Sequence, residues 1–349
     1  MRVPSRGKQI PGVHTRMLSD LTLEQIWNSR VVPDMEPVAE NTMLEYRSTI
    51  NLWNDLTDNP PVGTIGRQTI RDFRDKLMST PFRRGKKKKA GKRSHSTVNR
   101  IMRDLHVIMS PCWPADRMNL GGLGAMPFFQ WPKSLTVQKK LPFVFSPHDL
   151  SKLYLKVDAC RQPSKFARTT PMNEPRLWRL ALALALNSAP RTWDMFALPK
   201  SAVRLKEDDE NFQYGSLVFV AKKTGKLHRI PLNECAARHL DDILRRPVRG
   251  TSASELLFPG FNKGAAFYST WRRITAAAGV SGTFESMRKT SVTRHNTVVW
   301  QAGYWLSGHL EPGVFGHYDN PSERIFEAVY GLPQPQAFRE GMLNLAAMV

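Results

Sequence analysis

Five side chains in the second half of the chain are of types that can break and remake a phosphodiester bond. Such a reaction, when it runs through a covalent enzyme intermediate, needs a nucleophile, cations that stabilise the charged pentavalent phosphorus, and an acid for the departing oxygen. The candidates for these tasks are Arg191, Lys223, Arg288, His309 and Tyr318. Taken singly they are weak signals, so their order and spacing must carry the inference.

Arg191 follows an almost continuous apolar run. That run, residues 176–186, predicts a central helix buried on most sides, and the guanidinium of Arg191 would stand just beyond the end of this rigid element. A simple ion pair between Arg191 and Asp194 explains the arginine equally well. The local sequence leaves both interpretations open.

Lys223 lies in a predicted β-hairpin. The β-rich runs 215–221 and 227–232 are joined through a Thr-Gly pair, which indicates a short turn. Lys222 and Lys226 flank Lys223 and compete with it for any acid role. A single lysine at such a tip is usually only a surface charge.

Three further segments follow in succession towards the end of the chain. They are Phe284-Glu285-Ser286-Met287-Arg288-Lys289-Thr290, Leu306-Ser307-Gly308-His309 and Gly316-His317-Tyr318-Asp319. Tyr318 stands nine positions after His309.

With these landmarks the chain resembles the tyrosine recombinase, or phage integrase, family. That family carries an Arg after a buried helix, a Lys in a β-hairpin, a His-x-x-Arg segment, a Leu-Gly-His-like segment and a Tyr shortly after it. All five have a counterpart here in the same order, and the resemblance covers about residues 21–349. Its most specific parts are the Gly-His to Tyr spacing and the Lys-Thr-Gly-Lys hairpin.

The resemblance implies a role for each landmark. Arg191 and Arg288 would hold the non-bridging oxygens of the scissile phosphate, for which bidentate donors are suited, and His309 would donate a hydrogen bond to the same phosphate. Lys223, which precedes Thr-Gly as in the family, would protonate the leaving 5′ oxygen, and Tyr318 would form a 3′-phosphotyrosyl link. No metal or nucleotide cofactor is implied, since the covalent link keeps the energy of the ester.

One position departs from the family pattern. Where the family usually has the His of His-x-x-Arg, this chain has Glu285. Because a phosphate repels a carboxylate, Glu285 is either held away from the phosphate oxygens or used as a base toward the hydroxyl of Tyr318. His317, next to that tyrosine, is a candidate local substitute, although a histidine there also has a structural explanation.

The elements predict a mainly α protein with a small β-hairpin or sheet, of the α+β class. By the resemblance, a helical core-binding (SAM-like) N-terminal domain precedes a tyrosine-recombinase catalytic domain. The predicted divisions are a basic flexible arm at 1–20, a helical DNA-binding domain at 21–131, a linker at 132–145, a catalytic domain at 146–330 and a C-terminal tail helix at 331–349. The tail helix, with Phe338, Met342, Leu345 and Val349 on one face, either packs on its own domain or docks on a neighbouring protomer, as such tails do in the family.

Apolar residues at helical spacing predict three helices in the first domain. Their faces are Met43, Tyr46, Ile50 and Trp53 for the first, Ile70, Phe73 and Leu77 for the second, and Val98, Ile101, Met102, Leu105, Ile108 and Met109 for the third. The third is predicted to start at Ser96 or Thr97 as N-cap and to stop before Pro111. The second domain is predicted to open with Ser146 as N-cap and Pro147 at the first helical position.

A strongly basic segment separates the second and third helices. The residues predicted to bind DNA there are Arg83, Arg84, Lys86, Lys87, Lys88, Lys89, Lys92 and Arg93. Contacts to phosphates supply affinity and salt dependence but little sequence choice. A solvated loop or a nuclear localisation tract is the alternative.

The overall charge favours a polyanionic partner. Lys and Arg number 51 against 30 Asp and Glu, which gives a formal net charge of +21. An anionic membrane surface or an acidic protein is the weaker alternative. Cys112, Cys160 and Cys235 lack metal-ligand spacing and are predicted to be buried thiols. With no apolar core in the first residues and Leu180–Leu186 as the longest apolar stretch, a cytoplasmic, nucleoid-associated protein with no membrane partner is expected.

Three functions remain open at this stage. The first is a site-specific DNA recombinase or integrase of a mobile element that acts on double-stranded DNA as a homo-oligomer, from dimer to tetramer. The second is a type IB topoisomerase, which the helical domain and the hairpin lysine fit less well. The third is a DNA-binding relative without catalysis, an interpretation that Glu285 raises.

Overall fold

The chain divides into two compact units, Met1–Lys140 and Leu141–Val349. The computed structural model describes residues 17–82, 91–113, 122–138, 141–161, 171–248, 254–262, 264–308 and 321–347. The division falls within 132–145, where Leu135 packs against the core of the first unit and Phe145 belongs to the core of the second. Each unit therefore has a hydrophobic core of its own.

The first unit is helical. Its elements are α1 (Leu23–Ile26), a π-helical turn (Trp27–Val31), α2 (Val32–Asp34), α3 (Glu40–Thr57), α4 (Arg67–Ser79) and α5 (His95–Met109), with 3-10 turns at Leu18–Asp20, Val62–Thr64 and Ser110–Cys112. The three predicted helices are α3, α4 and α5. Their apolar faces form the core, in which the rings of Trp53 and Phe73 meet edge to face at 5.1 Å.

The start of α5 differs from the prediction. Ser94, and not Ser96 or Thr97, is the N-cap, and its Oγ accepts a hydrogen bond from the backbone N–H of Thr97 at 3.2 Å. An N-cap side chain satisfies a backbone N–H two or three residues later, so the two predicted residues lie inside the first turn that Ser94 closes. The helix ends before Pro111, as predicted.

The second unit carries nine α-helices among its described residues. They are α6 (Pro147–Leu155), α7 (Pro175–Ser188), α8 (Thr192–Phe196), α9 (Glu234–Arg245), α10 (Ala265–Ala278), α11 (Glu285–Val298), α12 (Ala302–Leu306), α13 (Pro321–Tyr330) and α14 (Gln336–Ala346), with 3-10 turns at Val157–Arg161, Pro171–Asn173, Lys200–Ala202 and Glu210–Phe212. Ser146 caps α6 as predicted, because its Oγ accepts from the N–H of Asp149 at 3.1 Å and Pro147 follows it. Helix α7 is buried along almost its whole length, which confirms the central helix.

A small antiparallel sheet lies in the same unit. Its strands β1 (Val203–Arg204), β2 (Ser216–Val220) and β3 (Leu227–Pro231) pair in the order β1-β2-β3. The β2–β3 hairpin confirms the prediction, whereas β1 was not predicted, because two residues are too short to show an alternating pattern. Ile230 of β3 packs with Ala189, Leu306 and Val329, and this contact attaches the hairpin to the ends of α7 and α12.

The C-terminal helix α14 packs on its own unit. Phe338 is fully buried, its ring centroid lies 4.6 Å from that of Tyr154, and the N–H of Ala337 donates to Ser151 Oγ at 3.4 Å. In this structure α14 therefore covers α6 in cis. Val349 lies outside the described residues.

The three cysteines are buried and unpaired, as predicted. Burial raises the pKa of each thiol to about 12, so these groups stay protonated at neutral pH. Across the described ranges, every helix is either too short or too polar to cross a membrane.

Candidate active site

Arg191 stands at the turn between α7 and α8. Ala189 ends α7 in a left-handed conformation with φ 45° and ψ 33°, and Arg191 is the N-cap residue of α8. The side chain of Arg191 is 26% exposed, and its Nη1 lies 3.7 Å from Oδ2 of Asp194, which is almost completely buried. The anticipated ion pair is therefore present, and it positions Arg191 just beyond the end of the buried helix α7.

Asp194 also holds the hairpin. Its second oxygen, Oδ1, accepts a hydrogen bond from the backbone N–H of Lys222 at 3.1 Å. Lys223 is the next residue and its side chain is exposed. One buried carboxylate thus brings the hairpin tip with Lys223 to the start of α8, where Arg191 lies.

Arg288 projects from α11 into the same region. Its Nη1 donates to the carbonyl oxygen of Ala189, and its Nη2 donates to the carbonyl oxygen of Ser307 at 2.5 Å. Burial and the positive charge of Arg191 lower the pKa of Arg288 to about 10, and the negative charge of Asp194 acts in the opposite direction. Two guanidinium groups therefore lie close enough to repel each other, which favours an anion between them.

His228 belongs to this region and was not predicted from the sequence. Its ring stacks on Phe219, its cross-strand neighbour, with centroids 5.5 Å apart and planes at 12°. Burial and then the charge of Arg191 lower its pKa. The alternation of β3 was a usable signal, because His228 shares a strand face with the buried Ile230.

Gly308 lies against one edge of the His228 ring, whereas Phe219 stacks on its face. A Cβ atom at this position would lie 2.6 Å from Cε1 of His228, and the φ of Gly308 is +68°. Both the close approach and the left-handed backbone require glycine here. The residue just before the predicted His309 is therefore packed directly against β3.

Glu285 is hydrogen-bonded to a neighbouring helix. It is the first residue of α11, and the hydroxyl of Tyr268 on α10 donates to its Oε1 at 3.2 Å. Burial and then the carboxylate of Glu285 raise the pKa of Tyr268, which keeps this donor protonated. The contact agrees with the interpretation that the carboxylate is held away from a phosphate.

The structure brings together three of the six predicted catalytic positions. Arg191, Arg288 and the hairpin tip with Lys223 converge, whereas Glu285, one turn before Arg288 on α11, is hydrogen-bonded to Tyr268. His309 and Tyr318 lie outside the described residues, as does His317. Their roles remain predictions.

Of the predicted DNA-binding loop, only the last residues, 91–93, are among those that the structure describes. Arg83, Arg84, Lys86, Lys87, Lys88 and Lys89 lie outside the described residues. Lys92 is exposed. Arg93 is half-buried, and its Nη1 donates to the carbonyl oxygens of Leu77 and Thr80 at 3.2 and 3.1 Å. Arg93 therefore caps the end of α4, and DNA contacts by these side chains remain predictions.

Solved structures share this architecture. A lambda integrase dimer bound to a COC′ core site has a TM-score of 0.56 over 83% of this chain and 94% of that chain, with 16% sequence identity. The chain has the fold of lambda integrase. The Tn1549 transposon integrase in complex with circular intermediate DNA has a TM-score of 0.54 and 14% identity over 92% and 99% of the two chains.

The integrase fold is also found in a larger assembly. A lambda integrase tetramer bound to a Holliday junction matches with a TM-score of 0.57 and 16% identity, over 88% of this chain and 83% of that chain. No family model and no curated protein matches the sequence. At these identities the likeness to the integrases is one of fold.

Proposed function

We propose that this chain is a site-specific DNA recombinase, or integrase, that cleaves and rejoins DNA strands through a 3′-phosphotyrosyl intermediate. The observation that carries the proposal is the convergence of Arg191 and Arg288 beside the hairpin tip of Lys223, within the integrase fold. Two arginines that repel each other are stabilised by a bound phosphate, which is the charge pattern that cleavage of a phosphodiester requires.

The proposed reaction conserves the number of ester bonds. The phenolic oxygen of Tyr318 attacks the phosphorus, a Tyr–phosphate bond forms, and the bond between phosphorus and the 5′ oxygen breaks. Lys223 gives a proton to that oxygen, and the proton of the tyrosine hydroxyl passes to a base. Rejoining reverses these steps with the 5′ hydroxyl of the incoming strand, so the exchange needs no external energy source.

Arg288 is suited to transition-state stabilisation because it is fixed before DNA arrives. Its two terminal nitrogens are already bound to the carbonyl oxygens of Ala189 and Ser307. A preorganised cation stabilises the developing charge without reorganisation at the moment of reaction. Arg191 is positioned more loosely, by an ion pair at 3.7 Å with the buried Asp194.

We infer that the partner is double-stranded DNA and that more than one copy acts on it. The formal net charge of +21 favours phosphate binding. The similar lambda integrase structures are a dimer on a core site and a tetramer on a Holliday junction. A dimer to tetramer on DNA, close to the bacterial or phage chromosome, is the working form that this proposal implies.

Covalent trapping on a nicked suicide duplex tests the proposal. The wild type is expected to leave a protein–DNA adduct on a denaturing gel, and Tyr318→Phe is expected to bind the duplex equally well but to form none. Tyr304→Phe, at an exposed tyrosine of α12, is the matched control and should form the adduct like the wild type.

The outcomes separate the alternatives. An adduct with Tyr318→Phe would show that another residue is the nucleophile. A wild type that binds DNA but is never trapped would identify a DNA-binding relative without catalysis. Relaxation of any supercoiled plasmid, with no exchange between two copies of a site, would favour a type IB topoisomerase.

A further inference from the structure

We propose that His228 is a further phosphate-binding residue of this site, supplied by strand β3 and acting beside Arg191 and Arg288. This inference rests on the proposed function and adds to it a residue that lies outside the landmarks of the sequence.

The position of His228 follows from the pairing of the hairpin. His228 and Phe219 are directly opposite each other on β3 and β2, and the next residue on the same face of β3 is the buried Ile230. Ile230 packs on Ala189 and Leu306. The face that carries His228 is therefore turned towards the C-terminal ends of helices α7 and α12. Arg288 donates hydrogen bonds to carbonyl oxygens at these same two helix ends.

The ring is confined on two sides. Phe219 stacks on its face, and the α-carbon of Gly308 lies against the edge formed by Cε1 and Nε2. A Cβ atom on residue 308 would lie 3.3 Å from Nε2. The ring orientation is thus fixed by packing, as in a residue that must present a nitrogen in one direction.

The charges around His228 are mainly positive. Burial lowers its pKa most, Arg191, Arg288 and Lys226 lower it further, and Asp194 raises it. Arg191 and Arg288 are the two cations to which the proposed phosphate would bind. A phosphodiester bound between the two arginines would add the negative charge that the surroundings lack, and it would offer oxygen acceptors to an imidazole N–H.

Packing alone gives no reason for a polar ring at this position. The side chain of His228 stacks on the ring of Phe219 and lies beside Gly308, and neither of these two contacts uses a ring nitrogen as a hydrogen-bond donor or acceptor. An apolar ring would fill the same space without desolvating a polar group next to two arginines. Glu285, one turn before Arg288, accepts a hydrogen bond from Tyr268. As an acid it provides no N–H donor or positive charge for a phosphate, unlike the histidine that the family usually has at this position.

The test compares three variants in the suicide-duplex assay. His228→Phe keeps a ring for Phe219 but has no N–H, His228→Gln keeps an N–H donor, and His148→Gln changes an exposed histidine on α6. Adduct formation is timed at saturating protein, and the dissociation constant is measured separately by gel shift.

We expect His228→Phe to slow adduct formation by about 100-fold with less than about a 3-fold change in DNA affinity, because one preorganised donor is lost from the transition state. His228→Gln should recover at least about tenfold of that loss, and His148→Gln should match the wild type. On a duplex with a neutral methylphosphonate at the scissile position, the difference between wild type and His228→Gln should shrink. Thermal melting shows whether His228→Phe folds, and if it does not, the glutamine variant on the two duplexes decides.

The failures are distinguishable. If the wild type forms an adduct and both His228 variants form it at the wild-type rate, His228 has no role and the recombinase proposal stands. If the glutamine variant is as slow as the phenylalanine variant on both duplexes, His228 only packs the hairpin and the inference is overturned. If the wild type forms no adduct, the proposed function fails and this inference fails with it.

Discussion

Acid is expected to destabilise the second unit through His295. This residue lies on α11, the helix of Arg288, and is completely buried. Its Nδ1 lies 2.8 Å from the carbonyl oxygen of Ser291, so Nδ1 carries the proton and donates it. Its Nε2 is buried and has no hydrogen-bond partner among the described residues. A second proton would therefore have no acceptor.

The size of the effect follows from the pKa. Burial, with a smaller contribution from Arg294, lowers the pKa of His295 from 6.5 to about 4. Because the folded pKa is below the unfolded one, the stabilisation is complete above pH 6.5 and is lost as the pH falls towards 4. One proton in this window changes the free energy of unfolding by about 1.4 kcal/mol per pH unit, which gives about 2 kcal/mol between pH 8 and pH 5.

Urea unfolding at these two pH values measures the loss. The perturbation is His295→Asn, which keeps a donor for the carbonyl oxygen of Ser291 but cannot take up a proton. Its loss of stability between pH 8 and pH 5 should be smaller than that of the wild type by about 2 kcal/mol. His148→Asn, at an exposed histidine, should behave like the wild type. The buried His239 also has a lowered pKa, but it titrates in every variant and cancels in the difference. Equal losses for wild type and His295→Asn would refute the reasoning.

Two further predictions concern the DNA-bound protein. Arg191→Ala and Arg288→Ala should each bind DNA and lose most adduct formation, by on the order of 3 kcal/mol of transition-state stabilisation. Arg288→Ala should also lower the melting temperature more than Arg191→Ala, because it removes two hydrogen bonds to carbonyl oxygens, whereas after Arg191→Ala the buried Asp194 keeps the backbone N–H of Lys222; similar melting of the two variants would contradict this division. Replacing Lys86 to Lys89 by Ser should flatten the slope of log affinity against log salt by roughly 3 to 4, with little change in sequence preference. Salt titrations on a cognate and a scrambled duplex measure it, and an unchanged slope would mean that this segment does not contact phosphates.

Local patterns of apolar residues predicted the helices and strands in which these patterns are pronounced. Helix α7 is formed by an almost continuous apolar run, and the hairpin joins two β-rich runs through Thr-Gly, so both were predicted. The N-cap of α5 was wrong by two residues, because Ser94, Ser96 and Thr97 are all suitable cap residues and only the three-dimensional start of the helix separates them. Strand β1 has two residues and exists through its pairing with β2.

Sequence patterns indicated the site residues that have a characteristic residue type and a fixed order along the chain. They did not indicate residues whose place in the site depends on contacts in the folded protein. Arg191, Lys223 and Arg288 were named from the order of the family landmarks, and the structure places Arg191, Arg288 and the hairpin tip close together. His228 was missed because its contact with Gly308, far along the chain, and its nearness to Arg191 and Arg288 appear only in the folded protein. The hydrogen bond from Lys222 to Asp194 was missed because its donor is a backbone N–H, which every residue except proline carries.

The two hydrogen bonds from Arg288 to carbonyl oxygens have a consequence for folding during synthesis on the ribosome. One joins positions 99 residues apart and the other joins positions 19 residues apart, towards opposite ends of the chain. Contacts of large sequence separation form late, since the intervening chain must lose its freedom first. On the ribosome, Arg288 cannot meet Ser307 until both have left the exit tunnel, long after α7 has been made. We therefore expect an unfinished chain to expose the basic segment 83–93 before the contacts of Arg288 with Ala189 and Ser307 can form.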